Sequence, residues 1–171
     1  MHRNIQRIFL IMTSCFAICC LPAQAAKMND EYYMQKAIEM AKQNPNAPFG
    51  AVIVDNTSGE IIATGVNNST VNPTFHGEMV ALNHAAEKHP HLDWKNLTLY
   101  TTAEPCSMCQ SAIVWTGISR VVFATSLAYL TSHGWDQINI SAAEVNAKSP
   151  FYKGTLDGGV LAEKTNVMFN Q

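Results

Sequence analysis

Apolar residues recur at Met34, Ala37, Ile38 and Ala41. That i, i+3, i+4, i+7 spacing is the stripe of one helix face. Asn29 or Asp30 can cap this helix, and Asn44-Pro45 ends it. The pattern then shortens. Ala51-Val52-Ile53-Val54 reads as an apolar strand, Asn56-Thr57-Ser58-Gly59 as a turn, and Glu60 to Val66 as the returning strand of a hairpin. A polar loop from Asn67 to Thr74 leads to a second helix, Gly77 to about Lys88. It is apolar at Met79, Leu82 and Ala86, and Pro90 stops it. Leu97 to Thr101 is a third strand, about Cys106 to Thr116 a third helix closed by Gly117, and Arg120 to Ala124 a fourth strand. Strand, helix, strand at this length implies a parallel crossover. Thr125 to Asn139 reads as a long connection. Ser141 with Glu144 matches a capping box for a short helix. Val160-Leu161 is expected as the fifth strand and Ala162 to Phe169 as a last short helix. The sum is an α/β chain with a five-stranded mixed sheet in a three-layer α/β/α arrangement.

The first residues break from this pattern. His2, Arg3 and Arg7 make a basic start, Ile8 to Leu21 is an apolar run, and Ala23-Gln24-Ala25 has small residues in the A-x-A arrangement. This reads as a signal peptide over residues 1–25, cut near Ala25, with export to the periplasm or the medium. The run is short for a membrane span, so no membrane attachment is expected after cleavage. Cys15, Cys19 and Cys20 leave with the leader, and only Cys106 and Cys109 remain. Residues 26–171 suffice for one domain with a full core.

Cleavage also shifts the charge. The whole chain carries 11 Lys+Arg against 13 Asp+Glu, a net charge of -2. Loss of Arg3 and Arg7 removes two positive charges and no acidic residue, and Arg120 becomes the sole arginine. A polynucleotide-gripping protein carries a basic stripe to meet phosphates. None is visible, which argues for a small neutral substrate and against nucleic acid.

Two short stretches carry the chemistry: His76-Gly77-Glu78 and Pro105-Cys106-Ser107-Met108-Cys109. Cysteines three apart at a helix start place both sulfurs on one face. Unpaired N–H groups at that helix end favour thiolates. Taken alone, Cys-x-x-Cys also fits a redox pair or half of a structural zinc site, and His-x-Glu alone means little. A structural site needs a fourth ligand, and His84, His89, His91 and His133 have no partner at ligand spacing.

Together the two stretches match the signature of the zinc deaminases. Pro48 to Val54, Ala63 to Asn67, Pro73 to Glu78 and Leu99 to Cys109 extend the match. From about Met28 onward the chain resembles the cytidine deaminase-like superfamily, and within it the guanine deaminase and tRNA adenosine deaminase branch. The resemblance is strong through Ala124. It makes residues 26–171 one CMP/dCMP-type deaminase domain. It implies one zinc ion per subunit, held by His76, Cys106 and Cys109, with water in the fourth place. Glu78 is then the proton carrier. The backbone N–H groups of Gly77 and Cys106 lie near the zinc and the base oxygen, and Asn67 hydrogen-bonds the base. Trp115 matches an aromatic that the guanine branch uses near the base, and Asp136 an acidic specificity residue. The implied activity is hydrolytic deamination of a purine base, guanine to xanthine plus ammonia. Cytosine, adenine or a nucleoside is the alternative substrate, and a non-catalytic, zinc-stabilised exported binding protein the alternative class. The family also implies a homodimer, in which a C-terminal segment, here with Phe169, can cover the active site. Gly77 stands where relatives of this branch usually have alanine.

Overall fold

The computed structural model describes residues 21–170. The leader assigned to residues 1–25 lies outside them except for its last five residues. Those begin the first helix, α1, Leu21–Ala41. Among the described residues no helix is long and apolar enough to cross a membrane.

The five strands are β1 Gly50–Asp55, β2 Ile61–Val66, β3 Leu97–Ala103, β4 Arg120–Thr125 and β5 Thr155–Gly158. They form one sheet in the order β2-β1-β3-β4-β5. β1 pairs antiparallel with β2 and β3, and β3-β4 and β4-β5 are parallel. The mixed sheet and the crossover through the third helix stand as expected. Alternation along the strands builds two cores. Ala51, Ile53, Leu97, Leu99 and Val121 face α2, Gly77–Lys88, and α3, Ser107–Thr116. Val52, Val54, Tyr100, Val122 and Ala124 face Tyr33, Met34, Ala37 and Ile38 of α1. β1 and β3 are covered on both faces; β1 reads as an apolar run to Val54, while β3 buries Thr98, Thr101 and Thr102 among its apolar residues.

Four local expectations change. α1 begins well before Asn29, so neither Asn29 nor Asp30 is its cap. Asp30 instead receives the Arg120 guanidinium at 2.7 and 2.9 Å and the Tyr100 hydroxyl at 2.8 Å, tying α1 to the sheet. The fifth strand is Thr155–Gly158 and not Val160-Leu161; it is a largely exposed edge strand with no apolar signal to reveal it. Val160 and Leu161 pack against the α1-side core. The connection after Thr125 holds a further short helix, α4 Leu127–Ser132, capped by Ser126. It is followed by α5, Ala142–Ala147, whose Ser141–Glu144 capping box is formed as expected. The last helix, α6, is the shorter Ala162–Asn166.

Candidate active site

Two helix starts meet at the edge of the sheet where β2 and β3 end. His76 is the residue before α2 and Cys106 the residue before α3, both with extended backbone. Neither side chain caps its own helix, so both are free for another partner. Cys109 sits one turn into α3 and is fully buried. His76 Nδ1 lies 3.5 Å from the Cys106 sulfur and 3.6 Å from the Cys109 sulfur. A tetrahedral zinc with Zn–S of about 2.3 Å and Zn–N of about 2.0–2.1 Å has S···N edges of roughly 3.6 Å, so these side chains fit the ion without rearrangement. The three ligand atoms all lie within 4.8 Å of one another, and among the described residues no fourth ligand joins them.

The electrostatics suit a cation. The Cys109 thiol hydrogen-bonds the Cys106 sulfur and, with His76, holds Cys106 down to about 4 against the cost of burial. That same hydrogen bond, with burial, pushes Cys109 well above an ordinary thiol. His76 is raised, chiefly by its hydrogen bond to Cys106. A lowered Cys106 thiol favours the thiolate form that a metal requires.

Glu78 lies one residue into α2 and is 3% exposed. Its Oε1 accepts the Thr101 hydroxyl at 3.2 Å, from the β3 position that faces α2. Burial raises its pKa, and the neighbouring Cys106 charge raises it further. Gly77 is required by close packing: a Cβ there would stand 2.7 Å from the Phe49 carbonyl oxygen.

These groups open into a cavity of about 170 Å³. His76, Glu78, Cys106, Asn67 and Asp136 all line it, together with Phe49 and Trp135. Asn67 is 8% exposed. Its Oδ1 accepts both the Ser69 N–H at 3.2 Å and the Ser69 hydroxyl at 2.9 Å. A backbone N–H can only donate, so the amide is fixed with Oδ1 on Ser69. Its NH₂ donors are left for a ligand.

Trp115 is a correction. It sits in the last turn of α3, 79% exposed, stacked on Phe151 at 5.3 Å between ring centroids, and it does not line the cavity. Nine residues of helix put it roughly 13 Å beyond the Cys106 end. Within the chain the aromatic wall is supplied by Phe49 and Trp135. Phe169 does not cover the cavity either. It is fully buried behind that wall, 4.9 Å from the Phe49 ring, and its carbonyl accepts the Trp135 indole N–H at 2.8 Å. Ser69, Leu130 and Gln137 also line the cavity and carry no motif that would announce them. Glu104 lines it too, within the Leu99 to Cys109 stretch but with no role expected of it. Trp135 and Gln137 flank Asp136, which was the one usable signal.

The family model for the cytidine and deoxycytidylate deaminase zinc-binding region matches residues 27–125. The chain belongs to this deaminase family. Its relatives divide by substrate. It is 35% identical over 139 residues to a guanine deaminase of Bacillus subtilis (strain 168), covering 75% of this chain and 88% of that protein. It is 30% identical over 135 residues to a tRNA-specific adenosine deaminase of Rickettsia bellii (strain RML369-C), covering 78% and 90%. Among solved structures it resembles a variant of NE0047 in complex with 8-azaguanine, with a TM-score of 0.70, 25% identity and coverage of 88% and 93%. NE0047 in complex with 2,6-diaminopurine gives 0.68, 26%, 87% and 88%. This deaminase is therefore a zinc-dependent hydrolase with the cytidine deaminase-like fold, its metal held by His76, Cys106 and Cys109.

Proposed function

We propose that this deaminase converts guanine and water to xanthine and ammonia. The observation that carries the reading is the cavity. At about 170 Å³ it is sized for a single base, since roughly 150 Å³ takes a benzene ring. It offers the fixed NH₂ of Asn67 as donor and the carboxylate of Asp136 as acceptor, beside Glu78 and the metal ligands. A base with a carbonyl oxygen and ring N–H donors complements that set, and guanine has both. Phe49 and Trp135 supply apolar surface for its flat faces.

Bound zinc supplies Lewis acidity and a nucleophile near neutral pH. The chain's own residues do the rest. Glu78 takes one proton from the attacking water and passes it to the adjacent ring nitrogen. It then takes the second proton from that same oxygen, now bonded to carbon, and delivers it to the departing amine, which leaves as ammonia. Its raised pKa brings the carboxyl closer to neutral pH, which suits a group that must both accept and release a proton. Asn67 holds the base oxygen, and the N–H groups of Gly77 and Cys106 lie at the two helix starts nearest the reacting carbon.

Charge speaks against the tRNA alternative. Arg120 is tied to Asp30 and Asp157, and neither lysine nor arginine lines the cavity. Ammonia release from the zinc-loaded protein across guanine, cytosine, adenine, their nucleosides and a tRNA anticodon stem-loop tests the reading. Guanine should turn over fastest; turnover of tRNA or cytosine with guanine inert overturns it. Export through residues 1–25 and a homodimer complete the proposal. Mass spectrometry of the exported chain, expected to begin near Ala26, checks the first, and light scattering the second.

A further inference from the structure

Glu104 is the cavity-lining carboxylate that the proposed chemistry leaves unused. It follows β3 and precedes the metal ligand Cys106 by two residues. Both of its oxygens are occupied, by donors far apart in sequence. Oε2 accepts the Leu127 N–H at 2.9 Å, and Oε1 accepts the Ala142 N–H at 3.0 Å. Leu127 is the first residue of α4 and Ala142 the first residue of α5. The segment between them carries Leu130, Trp135, Asp136 and Gln137 on the cavity. One side chain therefore clasps both feet of the cavity's outer wall. Its own N–H donates to the Thr125 carbonyl at 2.7 Å and fixes the clasp to the sheet.

Between the feet the wall is less firmly held. The Trp135 ring meets Phe49 edge-on at 5.2 Å, and its indole N–H reaches the Phe169 carbonyl. Asp136 and Ile138 are exposed. Both Glu104 oxygens are held by backbone donors, an arrangement that suits a support.

We propose that Glu104 is a positioning residue. It sets the distance between the metal ligands and the Trp135-Asp136-Gln137 wall, and through that wall it selects the base. The proposal rests on the guanine reading only for the identity of the base.

Glu104→Gln is the test. The two side chains have the same shape, but an amide accepts at one atom only. Its NH₂ must then face the N–H of Leu127 or Ala142, donor against donor, and one foot is released. A charge-assisted bond between carboxylate and backbone N–H is the stronger kind, so its loss should be felt. In Glu104→Gln, hydrogen exchange at Leu127 or Ala142 should quicken at least tenfold while α3 amides stay protected. Zinc should remain at one per chain. KM for the base that turns over fastest should rise roughly tenfold, with kcat changed less than threefold. Because Glu104 acts through the wall, its substitution in an Asp136→Ala background should add less than a threefold further rise in KM. Should Glu104→Gln not accumulate as folded protein, Glu104→Asp is read in the same way, being too short to span both donors.

Unchanged exchange at both amides overturns the proposal. So does loss of zinc or of kcat with KM unaltered, which would make Glu104 a support of the metal motif. Full additivity with Asp136→Ala also overturns it. The exchange readout needs no substrate. A wild-type protein inert toward every base would sink the guanine reading and still leave the clasp to be decided.

Discussion

Replacing Asp30 by asparagine should loosen α1 from the sheet by an amount that depends on pH. Asp30 accepts three hydrogen bonds, two from the forked Arg120 guanidinium and one from Tyr100. Its side chain is 13% exposed and that of Arg120 32%. Asparagine keeps one acceptor oxygen and turns an NH₂ toward the second arginine nitrogen, so one charge-assisted bond is lost outright. Hydrogen bonds to charged groups contribute about 1.5–3 kcal/mol. Arg120 is partly solvated and keeps Asp157 at 2.8 Å, so the low half of that range applies, about 2 kcal/mol. In a chain of this size that lowers Tm by roughly 4–8 °C. The pH dependence follows from the carboxyl. Burial pushes the Asp30 pKa up, but the hydrogen bonds from Arg120 and Tyr100 and the arginine charge outweigh it, and the net shift is downward. A carboxyl with a depressed folded pKa contributes its full stability above the unfolded value, about 3.9, and loses it as pH falls through the folded one. Urea midpoints for the native protein and Asp30→Asn should therefore stay a constant distance apart from pH 5 to 8. They should converge in acid, as pH falls below the unfolded value and through the lower folded one. A Tm within 1 °C of native at pH 7, or a gap that persists undiminished in acid, would refute the reasoning.

Two further substitutions probe the site. Glu78→Gln should keep its zinc by metal analysis and lose roughly 10²–10⁴-fold in turnover by ammonia release; turnover near the native rate would remove Glu78 from the proton path. Gly77→Ala places a methyl against the Phe49 carbonyl and should cost about 1–3 kcal/mol, read as a lower melting temperature together with a raised KM. An unchanged melting temperature would show that the contact relaxes at no cost.

The parts of the fold that sequence revealed are those whose cause is local. β1 is buried on both faces and appears as an apolar run; β3 carries β-branched and aromatic residues bounded by polar ones; the Ser141–Glu144 box spans four residues; the metal ligands sit in two short motifs. What sequence hid depends on distant partners or on exposure. Asp30 looks like a cap because its real partner, Arg120, is 90 residues away. β5 is a strand because β4 offers it an edge, and its own residues are mostly exposed. α4 is six residues long and signalled by Ser126 and by Leu127 and Leu130 three apart, too short a period to stand out inside a long connection. Trp115 matches a family aromatic by resemblance alone, and such a match says nothing about where the far end of a helix points.

The same contrast divides the site into two halves of different origin. Metal binding, and in the proposed reaction proton transfer, come from residues at or just inside two helix starts, His76 and Glu78 on one and Cys106 and Cys109 on the other. The rest of the cavity lining, to which the proposed function gives recognition, comes from three separate segments: Ala47 and Phe49 before β1, Asn67 and Ser69 after β2, and Leu130 with Trp135 to Gln137 beyond β4. None of the recognition side chains shares a hydrogen bond with a metal ligand. Changes in the outer segments should therefore reshape the cavity while the ligand geometry stands. The consequence is measurable. Asn67→Ala and Trp135→Ala should each keep one zinc per chain while changing relative activity across the panel of bases. Loss of zinc in either would mean that the two halves are mechanically joined and that this division is wrong.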